Sequence, residues 1–107
     1  MPLGAGQRMT LRVSPAVAFA PAHLVVRAHI EADAQNRAVE IVAESTEFYR
    51  SSEIQLDGEN APRTSTFEFR SLPPGTYEVT ATLLGPGGQQ RAAVRQAVNV
   101  IDTGSGR

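Results

Sequence analysis

Between residues 23 and 32 the chain alternates without a break. Leu24, Val26, Ala28, Ile30 and Ala32 fall on one face, and His23, Val25, Arg27, His29 and Glu31 on the other. A period of two is the period of a β-strand, whose successive side chains point to opposite sides. No α-helix collects this pattern on one face. One dry face and one wet face further call for a sheet covered on one side only, the habit of antiparallel sheets.

Shorter runs of the same kind, separated by Pro, Gly, Asn and Asp, fill the rest of the chain. Met9, Leu11 and Val13 form the first, closed by Ser14-Pro15. Val17 and Phe19 follow and end at Pro21. Proline cannot donate to a central ladder, so these residues predict an edge strand that is interrupted and resumes. The turn "DAQN" at 33–36 suits Asp and Asn side chains that mimic a backbone turn. Val39, Ile41 and Ala43 then point inward, opposite Glu40 and Glu44.

Residues 44–52 lack a rhythm and read as a loop leading into a strand with Ile54 and Leu56, ended by Asp57-Gly58. Phe67 and Phe69 alternate with Thr66, Glu68 and Arg70. Pro73-Pro74-Gly75 turns the chain into Tyr77, Val79, Ala81 and Leu83. A glycine-rich loop at 84–90 leads to a last strand from about Arg91 to Ile101. There Ala92, Val94, Val98 and Val100 keep phase and Gln96 breaks it, as a bulge or a partly exposed edge strand does.

The expected architecture is all-β: a seven-stranded antiparallel immunoglobulin-like sandwich. It spans residues 8–101, between a flexible lead-in at 1–7 and a linker-like tail at 102–107. The expected core is Leu11, Val13, Leu24, Val26, Ala28, Ile30, Val39, Ile41, Leu56, Phe67, Phe69, Tyr77, Val79, Ala81 and Leu83. Burying each large one contributes roughly 1.5–3 kcal/mol. A chain of 107 residues holds one such core.

Ten positive charges, all arginine, face eleven acids, with no basic run. That balance argues against nucleic acid as a partner. No apolar run has the length of a membrane span, which argues against membrane insertion. With no cysteine in the chain, disulfides, thiolate metal sites and thiol catalysis are excluded.

The stretch "LPPGTYEV" at 72–79 resembles the tyrosine corner of immunoglobulin and fibronectin type III domains. In that corner a tyrosine hydroxyl bonds back to backbone a few residues upstream. The resemblance implies that Pro73, Pro74, Gly75 and Tyr77 form a structural corner. It points to the bacterial immunoglobulin-like and fibronectin-like modules. The antibody pattern itself is not met: there is no tryptophan, and Val79 stands where the second cysteine would be. The longer run "FEFRSLPPGTYEVTATLLG" at 67–85 is also similar to carboxypeptidase-regulatory-like domains, the second choice.

Candidate chemistry is sparse. His23 and His29 share a strand face but lie about 20 Å apart, too far to hold one metal. "DGEN" at 57–60 offers too few oxygens for calcium. "GPGG" at 85–88 precedes a strand, so no helix N-terminus completes a phosphate cradle. No nucleophile-elbow pattern is present. No catalytic residue, cofactor or metal is therefore expected. Phe48 and Tyr49, with Asp57 and Glu59, are the best candidates for ligand contact.

These features, with the family resemblance, give the expected function. It is a non-catalytic accessory module of a larger exported bacterial protein, periplasmic or secreted, that spaces domains or docks a neighbouring domain or another protein. The alternative is a ligand- or carbohydrate-binding module that uses end loops, and an enzyme ranks last. An uncovered edge strand would also allow self-association.

Overall fold

The computed structural model describes residues 8–102. The lead-in expected at 1–7, and the tail expected at 102–107 apart from Asp102, lie outside the described residues. Eight strands run in order: β1 (Met9–Ser14), β2 (Val17–Phe19), β3 (Ala22–Ile30), β4 (Ala38–Glu44), β5 (Tyr49–Gln55), β6 (Thr64–Leu72), β7 (Gly75–Leu84) and β8 (Gln90–Ile101). A single 3-10 turn at Gly58–Asn60 joins β5 to β6. One sheet has the order β1-β3-β6 and the other β2-β8-β7-β4-β5.

The all-β, two-sheet expectation matches this architecture, but the strand count and the wholly antiparallel pairing do not. Eight strands are described rather than seven. β2 runs parallel to β8, which makes the larger sheet mixed. The proline-flanked segment explains the difference. β1 ends at Ser14 against β3, Pro15 breaks the ladder, and the chain crosses to the other sheet, where Val17–Phe19 lies beside Asn99–Ile101. The interrupted strand resumes in a different sheet.

A second difference lies at residues 49–52, which pair with β4 rather than forming a loop. β5 is exposed along almost its whole length, on both faces. A strand with no buried face has no reason to alternate, so its sequence carries no period.

Between the sheets, fourteen of the fifteen expected core residues are buried, and Leu11 on the edge strand β1 is partly so. Met9, Ala22, Ala38, Ala43, Leu72, Val98 and Val100 are buried too. Leu72 belongs there because of a bulge. Ala22 pairs with Leu72 and Leu24 with Phe69, so β6 carries one extra residue at this point. Ser71 absorbs it with a φ of 60°. The bulge resets the strand's phase, and both Phe69 and Leu72 point inward.

The flank where β1 meets β8 is closed by a side chain. Gln96 Nε2 donates to the Val13 carbonyl at 3.2 Å, and the Val13 N–H donates to Gln96 Oε1 at 3.1 Å. The amide thus does for β1 what a neighbouring strand would do. It also explains why Gln96 breaks the apolar phase of β8. Gln96→Leu should leave both Val13 groups without these partners. The expected loss is about 2 kcal/mol, a fall in thermal midpoint of roughly 10 °C for a domain of this size. A circular dichroism melt unchanged by the substitution would show that the latch carries no stability.

Candidate functional site

The inward pull of Leu11 and Val13 turns Arg12 to the outer face of the three-stranded sheet. Val26 and Ala28 do the same for Arg27. Register then brings the two together: Arg12 is the direct cross-strand partner of Arg27, and Thr10 that of His29. On the other side of β3, Thr66 lies opposite Arg27 and Thr64 opposite His29. The outer face therefore carries two adjacent rows, Arg12–Arg27–Thr66 and Thr10–His29–Thr64. A shallow depression of about 310 Å³ lies here, lined by Thr10, Leu11, Arg12, Arg27, His29 and Thr64. His29 Nδ1 is 3.2 Å from Thr64 Oγ1.

Two like charges directly opposite on antiparallel strands destabilise a sheet. Among the described residues, no ion pair relieves this one. The nearest acid on the same face is Glu68, opposite Val25 in the next row. It is engaged elsewhere, 2.9 Å from Arg70 Nη2 and 3.5 Å from His23 Nε2. The hydrogen bond from Arg70, and then its charge, hold the Glu68 carboxyl below the usual carboxylate range. The arginine pair is left facing solvent with its donors available.

Residues picked out by the sequence fall in two separate places. Phe48 packs edge-to-face on Tyr77, centroids 6.2 Å apart, and carries the Arg50 guanidinium 5.1 Å over its ring. Tyr49 begins β5 and is 60% exposed. Asp57 and Glu59 lie at the far end of β5, around the 3-10 turn, in a shallow pocket with Ala34, Arg37, Gly58 and Asn60. The length of β5, about 20 Å, separates the two groups. Gly58 has a φ of 53°, and a Cβ there would sit 3.1 Å from the Ala34 carbonyl oxygen.

At the corner, Tyr77 Oη donates to the Pro73 carbonyl at 2.7 Å. Burial pushes the Tyr77 phenol up from its ordinary value. A Cβ on Gly75 would approach Ser45 Cβ to 3.3 Å, so the close turn needs glycine.

Near the β3–β4 turn, Asp33 meets Arg91 at 3.0 Å. Its carboxyl is held low, first by the Gln35 N–H and then by the charges of Arg91 and Arg8. The stability gained from Asp33 and Glu68 is present above the usual carboxylate range and is lost as the pH falls through their depressed values.

The arginine pair escaped sequence reading because β1 and β3 are not a simple hairpin: β2 lies between them in the chain. Alternation shows that Arg12 and Arg27 both face outward, but only the register makes them neighbours.

No protein-family model matches the chain, and no curated protein sequence matches it. Solved structures do. A superoxide reductase (neelaredoxin) from Ignicoccus hospitalis superposes with a TM-score of 0.70 at 12% identity, covering 89% of this chain and 81% of that one. Two variants of that protein superpose at 0.64 and 0.65, also at 12% identity. A family 76 glycoside hydrolase from a bovine Bacteroides thetaiotaomicron strain gives 0.61 at 20% identity, over 86% of this chain but 20% of its own length.

These similarities correct the expected kinship and function. The chain resembles superoxide reductases over most of both chains, with no family match to immunoglobulin-like, fibronectin-like or carboxypeptidase-regulatory-like modules. The expectation of a non-catalytic accessory module, with binding by end loops as its alternative, drew on that kinship together with the sparse chemistry of the sequence. It is withdrawn, because enzymes carry this fold.

At these identities the likeness is one of fold. Reducing superoxide is one-electron chemistry that needs a redox metal or cofactor. Imidazole and thiolate are the side chains that suit such metals. This chain has no cysteine and two histidines. His23 pairs with Glu68 and His29 lies beside Thr64. Among the described residues, no three His, Cys, Asp or Glu side chains converge to hold a metal ion. The residues present do not fit a redox centre of this kind, and no redox step is derived.

Replacing Arg27 by Thr removes a like-charge contact and keeps the β-propensity of the strand. The thermal midpoint should stay level or rise by about 3 °C at low salt, equivalent to roughly 0.5 kcal/mol. The gain should fade at high salt as the repulsion is screened. A clear loss of stability at both salt concentrations would show that Arg27 has a structural partner.

Proposed function

We propose that the outer face of the β1-β3-β6 sheet binds an oxyanion, a phosphate, sulfate or carboxylate group borne by a ligand. Arg12 and Arg27 supply the charge and the forked donors. His29, Thr10 and Thr64 line the same depression and add hydrogen-bonding capacity. One observation carries the reading: two guanidinium groups are register partners and have no carboxylate on them among the described residues.

A guanidinium presents two parallel N–H groups that match the edge of a carboxylate or phosphate. Two side by side do so over a wider arc, and an anion between them turns mutual repulsion into shared attraction. The rigid sheet supports the pair from below, through Leu11, Val13, Val26 and Ala28, three of which are buried and the fourth partly so. The site is open to water, so its affinity is modest and sensitive to salt.

Thermal melts with added phosphate or sulfate, against chloride at matched ionic strength, test this reading. Anion at ten times its dissociation constant adds about 1.4 kcal/mol, or roughly 6 °C in this size of domain. The double variant Arg12→Gln, Arg27→Gln should lose the specific part of that shift. It should keep only the general stabilisation that excluded anions give any folded protein. Equal shifts in both proteins would refute the proposal.

A further inference from the structure

The strand edges of this sandwich are not alike. At β1, the Val13 N–H and carbonyl are taken by Gln96. β2 is three residues long and stands between Pro15 and Pro21. β6 carries the bulge and the positive φ at Ser71, and its Arg70 carbonyl receives Arg50 Nη1 at 3.4 Å. Short length, proline, bulges and covering groups are the devices that keep sheet edges from pairing with other chains.

β5 has none of them. It is the outermost strand of the larger sheet. Its register with β4 is unbroken from Tyr49 to Gln55. The segment YRSSEIQ contains no proline, glycine or lysine.

The direction of its backbone groups follows from the hairpin. The Ser45 N–H donates to the Phe48 carbonyl and the Leu56 N–H to the Arg37 carbonyl, both at 2.8 Å. Antiparallel ladders alternate between bonded and non-bonded pairs. Arg50, Ser52 and Ile54 therefore bond toward β4. The N–H and C=O groups of Tyr49, Ser51, Glu53 and Gln55 point to the open side.

We propose that β5 pairs with β5 of a second copy of this chain, antiparallel about a two-fold axis through Ser52. Symmetry decides much of the geometry. A two-fold axis normal to the sheet keeps each side chain on its face, so opposed residues must have the same parity. Centring on Ser52 engages all four outward residues, whereas a shift of two in either direction engages three. Tyr49 then bonds with Gln55 of the second copy and Ser51 with Glu53 of the second copy. Arg50 lies opposite Ile54 of the second copy, and Ser52 opposite its own image. Each charge meets a neutral residue, so a second copy is not repelled where the strands are closest. The contact is a single strand edge about 20 Å long, smaller than the interface of a stable dimer. The dimer is therefore a weak one, forming at roughly 0.1–1 mM protein. This pairing uses the larger sheet, and it stands or falls apart from anion binding on the smaller one.

Sedimentation velocity on the full chain, from about 10 µM to 1 mM at low salt, reads the pairing directly. The register makes opposite predictions for one position. Ser51→Lys places an ammonium opposite Glu53 of the second copy twice per dimer and should tighten association about tenfold. Ser51→Glu should loosen it about tenfold. Ser51→Pro removes an outward N–H that β4 does not use and should abolish the dimer, with circular dichroism confirming the fold. Lys and Glu at Gln35, an exposed loop position, control for net charge and should leave association within about twofold of the parent. A chain that stays monomeric at 1 mM overturns the proposal. So does a dimer on which Ser51→Lys and Ser51→Glu act alike, or one that a folded Ser51→Pro variant retains.

Discussion

Everything in this structure hangs on the closure of two inward sheet faces over one another. Leu24, Val26, Val39, Ile41, Val79 and Leu83 are fully buried, and among the described residues no α-helix covers either sheet in their place. Burial of this kind fixes side chains by parity. Once Leu11, Val13, Val26 and Ala28 are committed inward, Arg12 and Arg27 have no choice of side. The core thus decides where the charges of the outer faces stand, at no cost to itself. Gln96 completes the closure on one flank by acting as a strand neighbour for Val13. On the other flank, β5 is left as a bare edge.

The outer faces show where local preference gives way. A sheet selected for stability alone would set an acid opposite Arg12 or Arg27, as Glu78 stands near Arg95 at 3.5 Å on the other sheet. Instead Glu68 is drawn to Arg70 and His23, and the arginine pair stands in register without an acid. Violations of local consistency concentrate at functional sites. The similarity to superoxide reductases places this sandwich among folds that enzymes use, but the described residues bring no set of redox-metal donors together. Function on this scaffold has to be read from its own surface residues rather than from its neighbours.

Much of the fold was legible in the sequence because period-two alternation and its turn residues report burial directly. β3, β4 and β7 are of this kind, each with one dry face. Legibility failed where burial did. β5 has no dry face, so only its end at Ile54 was legible as strand, and residues 49–52 were not. β2 was visible as a strand but not as a member of the other sheet, because proline marks a break and not its destination. The bulge at Ser71 left no signal, since the residue that takes the positive φ is not the glycine or asparagine that usually marks one. The candidate site was half legible: alternation placed Arg12 and Arg27 outside, and the pairing of β1 with β3 supplied the rest. Phe48 and Tyr49 drew attention as an aromatic pair in an irregular stretch. In the structure the first supports Tyr77 and only the second is open to solvent.

The central claim is that an anion has one preferred seat, between Arg12 and Arg27. Nitrogen-15 NMR during a phosphate titration tests it most directly, because the guanidinium Nε–Hε signals can be followed residue by residue. The account predicts saturable shifts at Arg12 and Arg27, with smaller ones at the amides of Thr10, His29 and Thr64, and little change at Arg50, Arg70 and Arg95. Shifts that grow linearly without saturation, or that spread evenly over all the arginines, would contradict it.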